Sequence, residues 1–292
     1  MKLSGTSREE TNAPIRQLQL HHYDDRCRLS RMDSDAEGLS PDRAFWLLGD
    51  QMRTAILRAV WESSEETITF SEIREQIGSP DSGKFNYHLN KLVGHFLSKG
   101  DGGYSLTQAG REVVRAVMAG TITNHAEIEP VAINAQCAEC GGTLVVRYDE
   151  YGIIECEDCG ELVMWNEFPP AGLDTRSAEE FASTFDRWTQ VRFGLAMDGI
   201  CPNCACEMTM EILDSVGEGA DDIVTMHRCE NCKYEARVPL FGHVVSHPAT
   251  ISFFYDRGVD VIEMPYWRMR SLAREFNEEV SSQSPWTAKI TM

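Results

Sequence analysis

The sequence predicts an α+β multidomain chain, and three observations predict it. Between residues 41 and 118 apolar side chains recur at helical spacing, interrupted by short runs of β-forming residues. Between 137 and 232 lie four Cys-x2-Cys pairs that group into two quartets. Between the quartets, residues 177–198 form an amphipathic stretch, so helices are interspersed with the cysteine-rich modules.

Residues 1–38 are polar and mixed in charge, with no sustained apolar period, and are expected as a disordered leader in which Met32 is an alternative start. Order is expected from Ser40-Pro41, a helix cap with proline at the first helical position. From there Phe45, Leu48, Met52, Ile56 and Val60 make one apolar stripe, read as a single core-facing helix. A short β-rich run, Thr67 to Phe70, precedes a second helix capped by Ser71, with Ile73 and Ile77 inward and Gly78-Ser79-Pro80 as its stop. A third helix is expected over 82–96, with Phe85, Leu89, Leu92, Val93 and Phe96 inward and Lys84, Tyr87, Asn90 and Lys91 outward. A hairpin with its turn at Gly100 to Gly103 follows, then a helix capped by Thr107 that runs to Met118. Helix, short strand, helix, helix, hairpin, helix is the element order of a winged helix-turn-helix, placed at 39–120. A linker is expected at 121–136.

Leu48-Gly49-Asp50 through Leu57, the run Phe85 to Leu92, and Tyr104-Ser105-Leu106-Thr107 with Gly110 resemble, in that order, three blocks of the ArsR-type winged-helix regulators of haloarchaeal kind. The resemblance implies a DNA-binding fold with a recognition helix at 82–96, direct base reading by Lys84, Asn86, Tyr87 and His88, and a homodimer. The helical wheel adds Asn90 and Lys91, and places His88 at the edge of the apolar stripe, where it either meets DNA or anchors the helix. Lys99 and the wing tip would meet phosphate or the minor groove. Of the six lysines in the chain, Lys84, Lys91 and Lys99 fall here. The family's usual metal-sensing cysteines are missing, since no cysteine lies between 41 and 136.

Charge limits what the rest can do. The chain of 292 residues carries -19, from 46 acidic and 27 basic residues, so contact with nucleic acid must be local. Residues 41–120 hold nine basic and ten acidic side chains, which leaves about -18 elsewhere. An acidic, lysine-poor surface suits a halophile, where molar salt shortens the Debye length to a few ångströms. No apolar run is long enough to span a bilayer and the N-terminus lacks the apolar core of a signal peptide, so a cytoplasmic protein without membrane partners is expected.

Cys137, Cys140, Cys156 and Cys159 form the first quartet, with fifteen residues between its pairs, the spacing of a zinc ribbon at 137–168. Each Cys-x2-Cys turn converges two thiolates, and Gly141 and Gly160 permit its tight backbone. Cys201, Cys204, Cys229 and Cys232 form a second ribbon at 199–242 with a longer hairpin, where Cys206 or His227 could replace one ligand. Two structural zinc ions are expected, since a closed shell of four thiolates leaves no place for a catalytic water. Cys27 is left over.

The helix at 177–198 has a Ser177/Glu180 capping box and a stripe of Phe181, Phe185, Trp188 and Leu195. A helical tail is expected at 243–292, with helices over 248–255 and 266–280. His243 and His247 are one helical turn apart, but Pro248 restricts His247 to extended backbone, and no nucleophile and base can be placed together. The expected function is therefore non-enzymatic: a sequence-specific transcriptional regulator binding double-stranded DNA. The alternatives are a basal factor whose winged helix and ribbon bind RNA polymerase, and a protein-interaction scaffold that leaves DNA alone.

Overall fold

The computed structural model describes residues 38–213, 223–274, 277–283 and 286–291. The expected leader, its alternative start at Met32, and Cys27 lie outside the described residues. The chain is a mixed α+β molecule whose sheets are antiparallel within their described pairings. It divides into two compact units, Leu29–Asn134 with Thr143–Ala182, and Ala135–Gly142 with Ser183–Met292. No helix among the described residues is long and apolar enough to cross a membrane.

The single helix expected from Pro41 is two helices, α1 (Pro41–Leu48) and α2 (Gln51–Glu62). Asp50 ends the run because its carboxylate accepts the Met52 and Arg53 N–H groups at 3.0 and 3.1 Å, capping α2 afresh. The break turns Phe45 outward, 74% exposed, and brings Leu47 into the core in its place. Thr69, not Ser71, caps α3 (Phe70–Gln76), through a reciprocal pair with Glu72. What remains of the expected β-rich run is one bridge, Ile68 to Tyr104.

α4 (Ser82–Leu92) is capped by Asp81 and ends a turn earlier than expected. Phe85, Leu89 and Leu92 are fully buried against Ile56, Ile73 and Leu97, and each such side chain contributes about 1.5–3 kcal/mol. β1 (Leu97–Gly100) and β2 (Gly103–Leu106) pair around Asp101-Gly102, a favoured two-residue hairpin turn. Thr107 caps α5 (Gln108–Met118). Gly110 is obligatory there, since a Cβ would lie 2.2 Å from the Phe96 carbonyl oxygen.

Residues 127–136, expected within a linker, form strand β3 (Glu127–Gln136) at one edge of a four-stranded sheet, with Pro130 in it. The sheet continues in order with β4 (Thr143–Asp149), β5 (Tyr151–Cys156) and β6 (Leu162–Glu167). Its inner face buries Leu144, Val146, Tyr148 and Ile154, and the Tyr148 hydroxyl donates to the Phe168 carbonyl at 2.8 Å. Ser177 and Glu180 cap α6 (Ala178–Met197) reciprocally, as the sequence indicates. Phe181 and Phe185 are buried, but Trp188 and Leu195 are 39% and 37% exposed. Thr189, Arg192 and Ala196 take the inner positions instead.

β7 (Thr209–Leu213), β8 (Val224–Arg228) and β9 (Glu235–Pro239) form a three-stranded sheet. α7 (Leu240–Val245), α8 (Pro248–Tyr255) and α9 (Tyr266–Ala273) follow. The expected helix over 266–280 stops at Ala273. From Asn277 the backbone pairs as β10 (Asn277–Gln283) with β11 (Trp286–Thr291), so the tail is not wholly helical; a ladder to the adjacent strand has overridden local helical preference.

Candidate functional site

All four Cys-x2-Cys turns share one backbone design. The fourth residue after the leading cysteine returns its N–H to that cysteine's carbonyl: Gly141 to Cys137 at 2.9 Å, Gly160 to Cys156 at 3.0 Å, Ala205 to Cys201 at 2.8 Å and Lys233 to Cys229 at 2.9 Å. The leading N–H is bound in turn by the carbonyl of the following residue, at 2.8 to 2.9 Å in each case. The closure requires a left-handed residue, with φ of 75° at Gly141 and Gly160, 57° at Ala205 and 62° at Lys233. Glycine adopts this conformation freely, whereas alanine and lysine are strained by the crowding of Cβ against the backbone.

The turns bring the sulfurs together as their spacing indicates. Cys137, Cys140, Cys156 and Cys159 form one group and Cys201, Cys204, Cys229 and Cys232 another, with the sulfurs of each within 4.8 Å of one another. Cys201 and Cys232 sulfurs are 3.4 Å apart, and Cys204 and Cys229 sulfurs 3.5 Å. A tetrahedron of zinc–sulfur bonds has edges of about 3.8 Å, so these soft donors fit a thiophilic cation. In the first group, the Glu139 and Gly142 N–H groups point at the Cys137 and Cys140 sulfurs at 3.3 and 3.4 Å.

Electrostatics also calls for a cation. The Cys206 N–H holds the Cys204 thiol down at about 6. Cys232 is favoured as thiolate by the Tyr234 N–H, yet desolvation and hydrogen bonding with the Cys201, Cys204 and Cys229 thiols push it up to about 12. Four thiols this close cannot all ionise alone, and a divalent ion removes the conflict. The two groups can each hold a metal ion, with all four ligand positions filled by protein.

Neither Cys206 nor His227 stands among these ligands. His227 is buried on β8, where its Nε2 is 3.1 Å from the Thr225 hydroxyl, and the His243 Nε2 reaches the same oxygen at 2.9 Å. Burial drives both imidazoles down to about 4, with His243 adding repulsion at His227. His247 serves α8, its Nδ1 accepting the Ala249 N–H at 3.2 Å. The His227–Thr225–His243 cluster has no sequence signal, because its members come from a strand and a helix sixteen residues apart.

On α4, Lys84, Asn86, Tyr87 and Asn90 are exposed and Lys91 is half-buried. The Asn90 amide donates to the Asn86 side-chain oxygen at 3.1 Å, and the Lys91 ammonium lies 5.3 Å from the Tyr87 ring centre. Lys99 is exposed on β1, with its ammonium 5.6 Å from the Tyr104 ring. His88 faces inward, 8% exposed, with Nδ1 3.2 Å from the Asp50 carboxylate and 3.5 Å from an Arg53 nitrogen. Arg53 is itself buried and donates to the Leu47 and Trp46 carbonyls. This set fastens α4 to the corner between α1 and α2. Sequence reasoning placed Asp50 and Arg53 inside a block of the family resemblance and gave neither a role, because His88, the side chain that joins them, lies 35 residues beyond Arg53.

A family model described as "Domain of unknown function (DUF7351)" matches residues 134–292, and another, "Domain of unknown function (DUF7347)", matches residues 41–117. No curated protein and no solved structure matches the chain.

Proposed function

The chain belongs to the family of the domain of unknown function DUF7351, whose model covers more than half of it, and from that premise we propose a cytoplasmic, sequence-specific, DNA-binding transcriptional regulator. In this reading residues 39–120 are a winged helix-turn-helix of ArsR-like kind, α4 enters the major groove, and two zinc ions hold the cysteine groups as structural ribbons.

One observation carries the proposal. In a chain of -19, residues 82–99 contain three of the six lysines and no aspartate or glutamate. A helix within that stretch presents Lys84, Asn86, Tyr87 and Asn90 to solvent. Lysines there neutralise phosphate, and paired amides suit an adenine edge. The His88–Asp50–Arg53 set, with His88 and Arg53 buried, supports the reading by fixing the orientation of the helix before contact. The zinc is structural here, since no ligand position is left for substrate.

Base-resolution chromatin immunoprecipitation of the tagged protein tests this reading, with palindromic footprints expected. Co-occupancy with polymerase at promoters generally would favour a basal factor, and absence of any footprint a scaffold. In vitro, Lys84→Ala or Lys91→Ala should flatten the salt slope of binding by about one unit each. Asn86→Ala should cost about 1–3 kcal/mol on the preferred site alone. Unchanged binding in all three folded variants would sink the assignment of α4.

A further inference from the structure

The outer face of α6 carries an apolar stripe for which the DNA-binding reading has no use. Trp188, Val191 and Leu195 are 39%, 56% and 37% exposed. At 3.6 residues per turn they fall on one side of the helix. The other side is occupied: Asp186 accepts the Tyr266 N–H at 2.9 Å, Gln190 reaches the Met264 carbonyl at 3.4 Å, and Ala196 is fully buried. Gly194 lies beside Val191 on the outer side, with nothing within 4 Å of where a Cβ would be. Ile262, 48% exposed, is drawn alongside by a hydrogen bond from one Arg187 nitrogen to its carbonyl at 3.1 Å.

Charge says what covers the stripe. From Arg187 to Met197 there is no acidic residue, and the stripe is bounded by exposed Arg187 at one end and exposed Asp198 at the other. A helix so marked complements itself when turned end over end. With the two-fold axis between residues 192 and 193, Arg187 faces Asp198 of the second copy, Val191 faces its Gly194, and Trp188 reaches its Leu195 about two residues, or about 3 Å, along the axis. A parallel pairing would set Arg187 against Arg187 and Asp198 against Asp198. Two copies of a chain carrying -19 repel one another across most of their surfaces, and this acid-free face lets them approach.

We propose that α6 pairs antiparallel with α6 of a second copy of this chain, through Trp188, Val191, Gly194 and Leu195, with Arg187 and Asp198 exchanging ion pairs across the two-fold axis. Because the pairing surface is separate from α4, it can be measured without DNA and does not depend on the proposed function.

Sedimentation velocity on the full chain at micromolar concentration and moderate salt tests it. The wild-type chain is expected as a dimer. Val191→Arg, at a position already exposed, should raise the dimer dissociation constant at least tenfold while leaving the circular dichroism spectrum unchanged. Arg187→Asp and Asp198→Arg should each weaken the dimer by about fivefold, as for a rim ion pair replaced by like charges. The double variant should recover to within about twofold of wild type, because each copy then offers the reversed pair. A monomeric wild-type chain overturns the proposal. So does a dimer that V191R leaves intact, or one in which the double swap fails to restore what the single swaps lose.

Discussion

The two cysteine groups are built on the same turn but not with the same residues. In the first, the left-handed closing positions are Gly141 and Gly160; in the second they are Ala205 and Lys233. A non-glycine residue held in that conformation costs about 1–2 kcal/mol, so the second group stores strain at two turns where the first stores none. The second also carries the His227–Thr225–His243 cluster, with Thr225 and His227 buried and His243 half-buried, to which the first has no counterpart among the described residues. Identical ligand sets can therefore rest on unequal supports. The one with the strained turns and the paired imidazoles should depend more on its ion and yield first.

Metal removal is the strongest way to probe that difference. Structural zinc in small ribbons supplies on the order of 10 kcal/mol of folding free energy. Metal analysis should find two zinc ions per chain, and a graded chelator should release them in two steps. Cys204→Ser should cost one ion and unfold the second sheet, while Cys140→Ser should cost the other and spare it. The α2–α5 core should keep its helical signal in both variants. Simultaneous release of both ions would break the comparison.

Acid should separate the groups next. Burial lowers His243 from 6.5 to about 4. The unfolded chain therefore binds more protons than the folded one across that interval. Stability associated with His243 is complete above about 6.5 and is lost as pH falls toward about 4. His243→Gln keeps a polar side chain and removes the titration, so its acid-unfolding midpoint should move to lower pH with little change at pH 7. Loss of metal in acid is common to variant and parent and cancels in the comparison. A midpoint unmoved by H243Q would show that His243 does not govern acid sensitivity.

The smallest effect tests the strain itself. Ala205→Gly and Lys233→Gly should each stabilise the second group by up to about 1 kcal/mol, read as later metal release. Gly141→Ala and Gly160→Ala should destabilise the first by about 1–2 kcal/mol. Equal responses at the four positions would leave the two groups equivalent.

The cysteine groups were fully legible, because a paired turn motif is local and its spacing encodes the convergence of the sulfurs. The inward face of α4, the hairpin and α5 were legible for the same reason, since their periodicities are short-range. What escaped depends on contacts that periodicity alone does not specify. The break between α1 and α2 turned on the Asp50 carboxylate capping its own helix, against a stripe that also fits one continuous helix. β3 and β10 are strands because the next strands, β4 and β11, accept their backbones, a pairing that their linker-like and helix-like local patterns do not announce. His88 could be read outward or inward until Arg53, 35 residues away, stood beside it. Trp188 and Leu195 obey helical periodicity but on the outer face, which a sequence pattern cannot distinguish from the inner one.

Pro130 bears on how these molecules behave in a crowd. It sits in β3, at an edge of the four-stranded sheet, where an unbroken strand would offer a row of free N–H groups to any neighbour. A heavily acidic chain keeps its neighbours away by repulsion, but in concentrated salt that repulsion fades within a few ångströms. Colloidal stability then falls to the chemistry of the exposed backbone. Proline has no N–H and a fixed φ, so β3 is a poorer template for a fifth strand than an unbroken run would be, and runaway stacking is discouraged at this edge.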